Sequence, residues 1–271
     1  MFRRGLLGAH RPDLYLEGGS TVKQFVLTLK SLRHRQIGLI TLLFLVVVAA
    51  WLGAALAKRA GGAAETRLSV LALNEVMMLA IYVLPIIAAI VASRVVTTAR
   101  DGGMDAKLRA IGVSPIRQFG ANLAVTIVVT VLVAGFVLAL ALLASSMFGF
   151  STPSNVVPIA LSALLALVGD AVAVSAVHTW AATRFMQQGV TLGLAVVAAI
   201  GTSALPFAGL NHFSWILPWG LVSAANPVVG STGGVVQISA VPLPAGIIAV
   251  IISLVWAAVF MLAIKIRKVE Q

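Results

Sequence analysis

Asp170 stands well inside an apolar run, Ala-Leu-Val-Gly-Asp-Ala-Val-Ala-Val-Ser-Ala-Val-His-Thr-Trp, and His178 follows eight residues later. On a helix advancing about 100° per residue, the two are offset by roughly 80°. An ionisable side chain in such surroundings costs several kcal/mol by insertion scales, so Asp170 must face protein, water or a partner rather than lipid. Two readings are open for it: a substrate contact or proton relay, or a carboxyl hydrogen-bonded to another part of the chain. His178 lies near the end of its apolar run, where an imidazole is cheap, and reads first as an interface residue. Pro85 and Pro206, inside other apolar runs, are candidate bends lining a pathway. Glu65 and Glu75 lie close to Lys58, Arg59 and Arg67 and predict local charge pairs, which contribute little when exposed.

Motifs for catalysis on this chain are not found. The sequence contains no G-x-x-x-x-G-K-[ST] phosphate loop, no H-E-x-x-H and no G-x-S-x-G, so ATP hydrolysis by that loop and zinc or serine hydrolysis are disfavoured. Its four histidines, His10, His34, His178 and His212, are too scattered to predict a metal site, and with no cysteine there is neither a disulfide nor a thiolate. A cofactor on this chain is not expected. If energy drives it, a partner supplies that energy.

The elements that position these residues follow from composition. Sixty per cent of the residues are hydrophobic, 10% are charged, and the mean hydropathy is +1.06, values of a polytopic membrane protein with a lipid bilayer around it. We expect an all-α fold with six transmembrane helices, near Ile37 to Ala57, Val70 to Ala92, Ala121 to Ser145, Val156 to Val177, Gly189 to Leu210 and Ala245 to Ile264. The formal net charge of +11 sits in short segments flanking these runs, not on a basic face with interleaved aromatics, so nucleic acid is not expected as a partner. Sixteen Lys and Arg fall on one side of the predicted spans and three on the other. Both termini are therefore expected in the cytoplasm, and the Ala-, Val- and Gly-rich composition suggests a bacterial cell membrane.

Two regions stand apart from the spans. Residues 1–36 form a cytoplasmic N-terminal segment in which Ser20 to Arg35 has the pattern of an interfacial amphipathic helix; residues 37–271 form the six-span domain. Between the fifth and sixth spans, Asn211 to Pro244 is too apolar for a solvated loop and too broken for a span. It predicts a re-entrant outer segment of one or two short helices, anchored at the interface by Trp215 and Trp219. The chain shows no internal repeat of the kind common in secondary carriers.

The central polar link contains a short amphipathic helix, Met104 to Ile111, closed by Gly112 and then Ser114-Pro115. The run Asp105-Ala-Lys-Leu-Arg-Ala-Ile-Gly-Val-Ser-Pro-Ile-Arg117 resembles the link between the second and third spans of ABC-2 type permeases. That resemblance implies a coupling helix that docks on an ATP-binding cassette ATPase subunit through Asp105, Lys107, Leu108, Arg109, Ile111, Gly112, Ser114 and Pro115. It also implies a second permease chain in a homodimer or heterodimer, packed through small-residue faces, with ATP and Mg on the partner ATPase. The commoner family pattern has Glu-Arg-Glu then Gly-Thr before this helix; here Arg100-Asp101-Gly102-Gly103 stands instead. Size and small outer loops are similar to the lantibiotic-immunity branch, which confers resistance by exporting peptide antibiotics. The implied activity is ATP-driven export of a hydrophobic or amphipathic substrate: a peptide antibiotic, a drug or a lipid-like molecule. The alternatives are an ion- or proton-coupled secondary transporter using Asp170, and a membrane subunit that scaffolds without transporting.

Overall fold

The fold is taken from a computed structural model that describes residues 37–62, 67–101, 103, 110, 113–185, 187–226, 228–232, 235–238 and 242–266. The predicted N-terminal interfacial helix lies outside them. In chain order the elements are α1 (Ile37–Ala60), α2 (Ser69–Asp101), α3 (Pro115–Met147), α4 (Val156–Phe185), α5 (Gln188–Ala204), a 3-10 turn (Asn211–Trp215), α6 (Leu221–Ala224), β1 (Val228–Thr232), β2 (Val235–Ile238) and α7 (Pro242–Ile266). Five of them, α1 to α4 and α7, are long and apolar enough to cross a membrane. At 17 residues, α5 is shorter; at 1.5 Å per residue it extends roughly 25 Å, less than a bilayer core of about 30 Å.

Several helix ends depart from the apolar boundaries. The second helix runs to Asp101 rather than Ala92, and the fourth to Phe185 rather than Val177. The third begins at Pro115 rather than Ala121, with Ser114 as its N-cap: the Ser114 side chain accepts the Arg117 N–H at 3.4 Å, and Pro115 takes the first helical position. Ser114-Pro115, predicted as the stop of a preceding helix, is thus the start of α3. Pro206 also differs from expectation. It stands beyond the end of α5, in the turns leading to Gly209 (φ +71°), so it follows the helix instead of bending it. Pro85 is buried inside a continuous α2.

α2 is the most enclosed long helix, whereas α1 and α7 leave most of their apolar surface open. α4 packs against α2, α3 and, most extensively, α7. The α4/α7 seam depends on residues without side chains. A Cβ on Gly169 would lie 2.9 Å from the Ala249 backbone, and one on Gly246 would lie 2.6 Å from the Ser162 carbonyl oxygen. Small residues therefore bring two backbones together inside one chain. On another side of α4, Ser175 Oγ donates to Thr130 Oγ1 at 3.3 Å and Thr179 Oγ1 to Thr126 Oγ1 at 3.5 Å, while Thr126 and Thr130 donate to carbonyls one turn back on α3.

Each end of the bundle is tied. At one end Arg59 pairs with Glu75, Nε to Oε1 3.0 Å, as the charge pattern predicts, and Ser151 exchanges backbone hydrogen bonds with Arg67 and Ser69 at 2.8 and 3.0 Å. At the other, Arg100 Nη2 donates to the Thr183 carbonyl at 2.8 Å, a cation on the last carbonyls of α4. These are called the Glu75 end and the Arg100 end below. The one element the all-α expectation lacks is the antiparallel β1–β2 hairpin, with Thr232 opposite Val235. Two Val-Val runs flanking Gly-Gly encode it.

Gly169→Val and Gly246→Val should each push α4 from α7 and destabilise the chain by about 1–3 kcal/mol, the usual cost of overpacking. Leu254→Ala, on the exposed face of α7, should change little. Unfolding temperature in mild detergent checks both.

Candidate functional site

The polar side chains of α4 converge on the segment between α5 and β1. Asp170 is fully buried and its Oδ1 accepts the Val222 N–H at 3.3 Å, with the Leu221 amide beside it. Gly220, the residue preceding α6, offers no side-chain cap of its own. The carboxylate therefore supplies from another helix what an Asp or Ser at the N-cap normally supplies in sequence. Gly220 is required for a second reason: a Cβ there would lie 2.4 Å from the Ser214 carbonyl oxygen, so the 3-10 turn and α6 cross backbone to backbone.

His178 is also fully buried, which departs from the interface position expected of it. Its Nε2 accepts the Trp219 indole N–H at 3.1 Å, and the two rings meet edge-on with centroids 6.2 Å apart. An accepting Nε2 carries no proton, so the neutral ring's proton is on Nδ1. Trp219 is thus tied to α4. It reaches a point on α4 roughly 33 Å from the Val156 end, whereas Asp170 lies roughly 21 Å from it. Trp215 packs against the main apolar core, and Trp256 of α7 donates to the Ile216 carbonyl at 3.2 Å. From Trp219 the chain runs back past Asp170 toward the Glu75 end, where Asn226 Nδ2 donates to Asn74 Oδ1 of α2 at 2.8 Å.

The site therefore holds a segment in place. Asp170 Oδ1 and His178 Nε2 are both occupied by groups of the 219–222 stretch, while Asp170 Oδ2 and His178 Nδ1 are buried without a hydrogen-bond partner among the described residues. Pro85 lies within α2 and Pro206 beyond the end of α5. Among the described residues no group of three His, Asp or Glu could hold a metal. Asp105, Lys107, Leu108, Arg109, Ile111 and Gly112 lie outside the described residues; of the coupling-helix set, Ser114 and Pro115 are placed, at the start of α3. The Thr126/Thr130 and Ser175/Thr179 ladder was missed by reading the sequence, although hydroxyl residues at i, i+4 in two apolar runs are the available signal. Asn74 and Asn226 give no such signal, being 152 positions apart.

With this geometry in hand, comparison with known proteins is informative at one level. The family model described as ABC-2 family transporter protein matches residues 28–202, well over half of the chain. No curated protein and no solved structure matches.

If Asp170 is a cap and not a titrating group in transport, Asp170→Asn, which keeps an acceptor, should hold Leu221–Ala224 in place. Asp170→Leu should loosen it by about 0.5–2 kcal/mol. Trp219→Phe, which leaves the His178 nitrogen without its donor, should cost about 1–3 kcal/mol. Hydrogen exchange of the Leu221 and Val222 amides reads all three; equal protection in Asp170→Leu and the wild type would remove the capping role.

Proposed function

The chain belongs to the ABC-2 family of transporter proteins, and from that premise we propose that it is the membrane permease subunit of an ATP-binding cassette exporter. The observation that carries this reading is the family match over residues 28–202, which takes in α1 to α4, most of α5 and the central link together. ATP and Mg belong on a separate ATPase subunit, and a second permease chain, identical or related, completes the transporter. The helix that the sequence predicts at 104–111 is the coupling element in this reading, with Leu108 and Ile111 as its apolar contacts and Asp105, Lys107 and Arg109 around them. α2 and α3, each 33 residues long, run continuously into this link and would carry its displacement through the bundle as rigid levers.

In this reading α5 and the turns after it make a sixth crossing, and the 211–226 stretch is a re-entrant segment entered from the Glu75 side. The Arg100 end then faces the cytoplasm of a bacterial cell with both termini, in line with the excess of Lys and Arg there. The cargo is hydrophobic or amphipathic, a peptide antibiotic, drug or lipid-like molecule, as in the lantibiotic-immunity branch. The family match does not favour a proton-coupled carrier using Asp170; the carboxylate's Oδ1 is engaged with the Val222 amide, while its Oδ2 has no hydrogen-bond partner among the described residues.

Co-expression with neighbouring genes followed by purification of this chain should bring a nucleotide-binding subunit with it. Leu108→Asp combined with Ile111→Asp should abolish that co-purification, a loss of at least about tenfold in retained ATPase, while insertion into the membrane is unchanged. Undiminished co-purification by the double variant would sink the docking role. Transport in vesicles holding a proton gradient but no ATP would sink the exporter reading.

A further inference from the structure

Asp170 sits at the middle of α4, 14 residues from Val156 and 15 from Phe185. At 1.5 Å per residue it is more than about 20 Å from either end, so a bilayer core of about 30 Å laid along this helix encloses it. Val222 donates to Asp170, and Ser223, the next residue, donates its hydroxyl to Asn211 Oδ1 at 3.5 Å. The Ile216 carbonyl accepts from Trp256, which stands 14 residues into α7 from Pro242. The stretch from Asn211 to Ser223 therefore lies deep in the span of the bundle. Asn211 and His212 are nevertheless exposed, the His212 ring tilted on Phe213 with centroids 4.3 Å apart. At comparable depth α1, α3 and α7 expose Val47, Leu132 and Leu254, side chains that lipid can cover.

A carboxamide and an imidazole on the outside of the bundle at that depth are costly against hydrocarbon, which offers no hydrogen bond. Polar residues so placed face a water-filled cavity or protein. The chemistry of this ridge narrows what meets it. Between Arg184 and Lys265 the chain carries no Lys, Arg, Asp or Glu, so the ridge offers no fixed charge to a phosphate or carboxylate, which Arg or Lys would bind. An Asn side chain offers a donor and an acceptor together, as does a neutral imidazole, and each peptide group has one of each to match. Phe207 and Phe213, both exposed, flank the ridge with apolar faces. We propose that Asn211, His212 and Ser223 line a water-filled part of the transport pathway at mid-membrane depth and hydrogen-bond the backbone amides of an amphipathic peptide cargo. The cargo assignment rests on the export reading; the presence of water at the ridge does not.

The chain contains no cysteine, so a single introduced thiol reports on water without background. His212→Cys and Asn211→Cys, in membranes of cells that co-express the full chain with its neighbouring genes, are treated with membrane-impermeant sulfonatoethyl methanethiosulfonate. Both should react at least about tenfold faster than Leu254→Cys and Leu132→Cys, because the thiolate is the reacting form and hydrocarbon keeps a thiol neutral. Unchanged elution of each variant in mild detergent shows that the fold is kept. An acetylated and amidated heptapeptide of Leu and Ser should slow the labelling of His212→Cys roughly twofold when half of the sites are filled. 1-Dodecanol, apolar but without an amide, should not. Labelling of both ridge variants no faster than the two controls would overturn the pathway. Oxidative cross-linking of His212→Cys between two copies, in place of labelling, would overturn it too and make the ridge an interface. Equal slowing by dodecanol, or none by the peptide, would remove the peptide assignment. The export reading fails separately: loss of ATPase co-purification with labelling intact sinks that reading and leaves the water-lined ridge standing.

Discussion

A carboxylate carried into the middle of an apolar helix has to be satisfied by the chain itself, and a four-residue helix buried in the same bundle has N–H groups with the same problem. The Asp170 Oδ1 to Val222 hydrogen bond answers part of both, and Oδ2 is left buried without a partner among the described residues. An isolated helix of one turn has no stability of its own, so α6 exists where α4 caps it. The same logic extends along the segment: His178 receives the Trp219 indole, Asn74 receives the Asn226 amide, and Gly220 permits the crossing at Ser214. Three polar residues on two long helices thus set the path of a stretch with little regular structure.

α4 serves as the hub because its sides differ in chemistry. One is made of small residues and admits α7 to backbone contact at Gly169. Another presents Ser175 and Thr179 to the threonines of α3. A third carries Asp170 and His178. In an apolar solvent the burial of apolar area gives no drive for helices to associate, and close packing and hydrogen bonds have to supply it. α4 has both. The small-residue packing seen here lies within the chain, between α4 and α7, where the resemblance to the family had suggested such faces between two chains.

The two ends of the bundle are built differently. The Glu75 end is closed by an ion pair and a backbone bridge that fasten neighbouring links to one another. At the Arg100 end a guanidinium is seated on the last carbonyls of α4, with a cavity beside it. The link that resembles a coupling helix joins α2 to α3 at this second end.

The amino-acid sequence by itself determined the membrane class, the places of the five long helices, local charge pairing around Glu75 and, through the Asp105 to Arg117 run, the family. These rest on composition, on apolar runs as long as a bilayer is thick, and on local spacing, all of which are local in the chain. It did not determine where the helices stop, because Ser114 and Pro115 act through capping geometry that extends α3 beyond its apolar stretch. Nor did it assign Asp170 and His178. Their types and spacing are equally those of a proton relay, and only the tertiary structure brings residues 219 to 222 back across more than forty positions to occupy them. The partners of a buried polar group are chosen by packing between distant segments, and for that choice no periodicity in the sequence carries a signal.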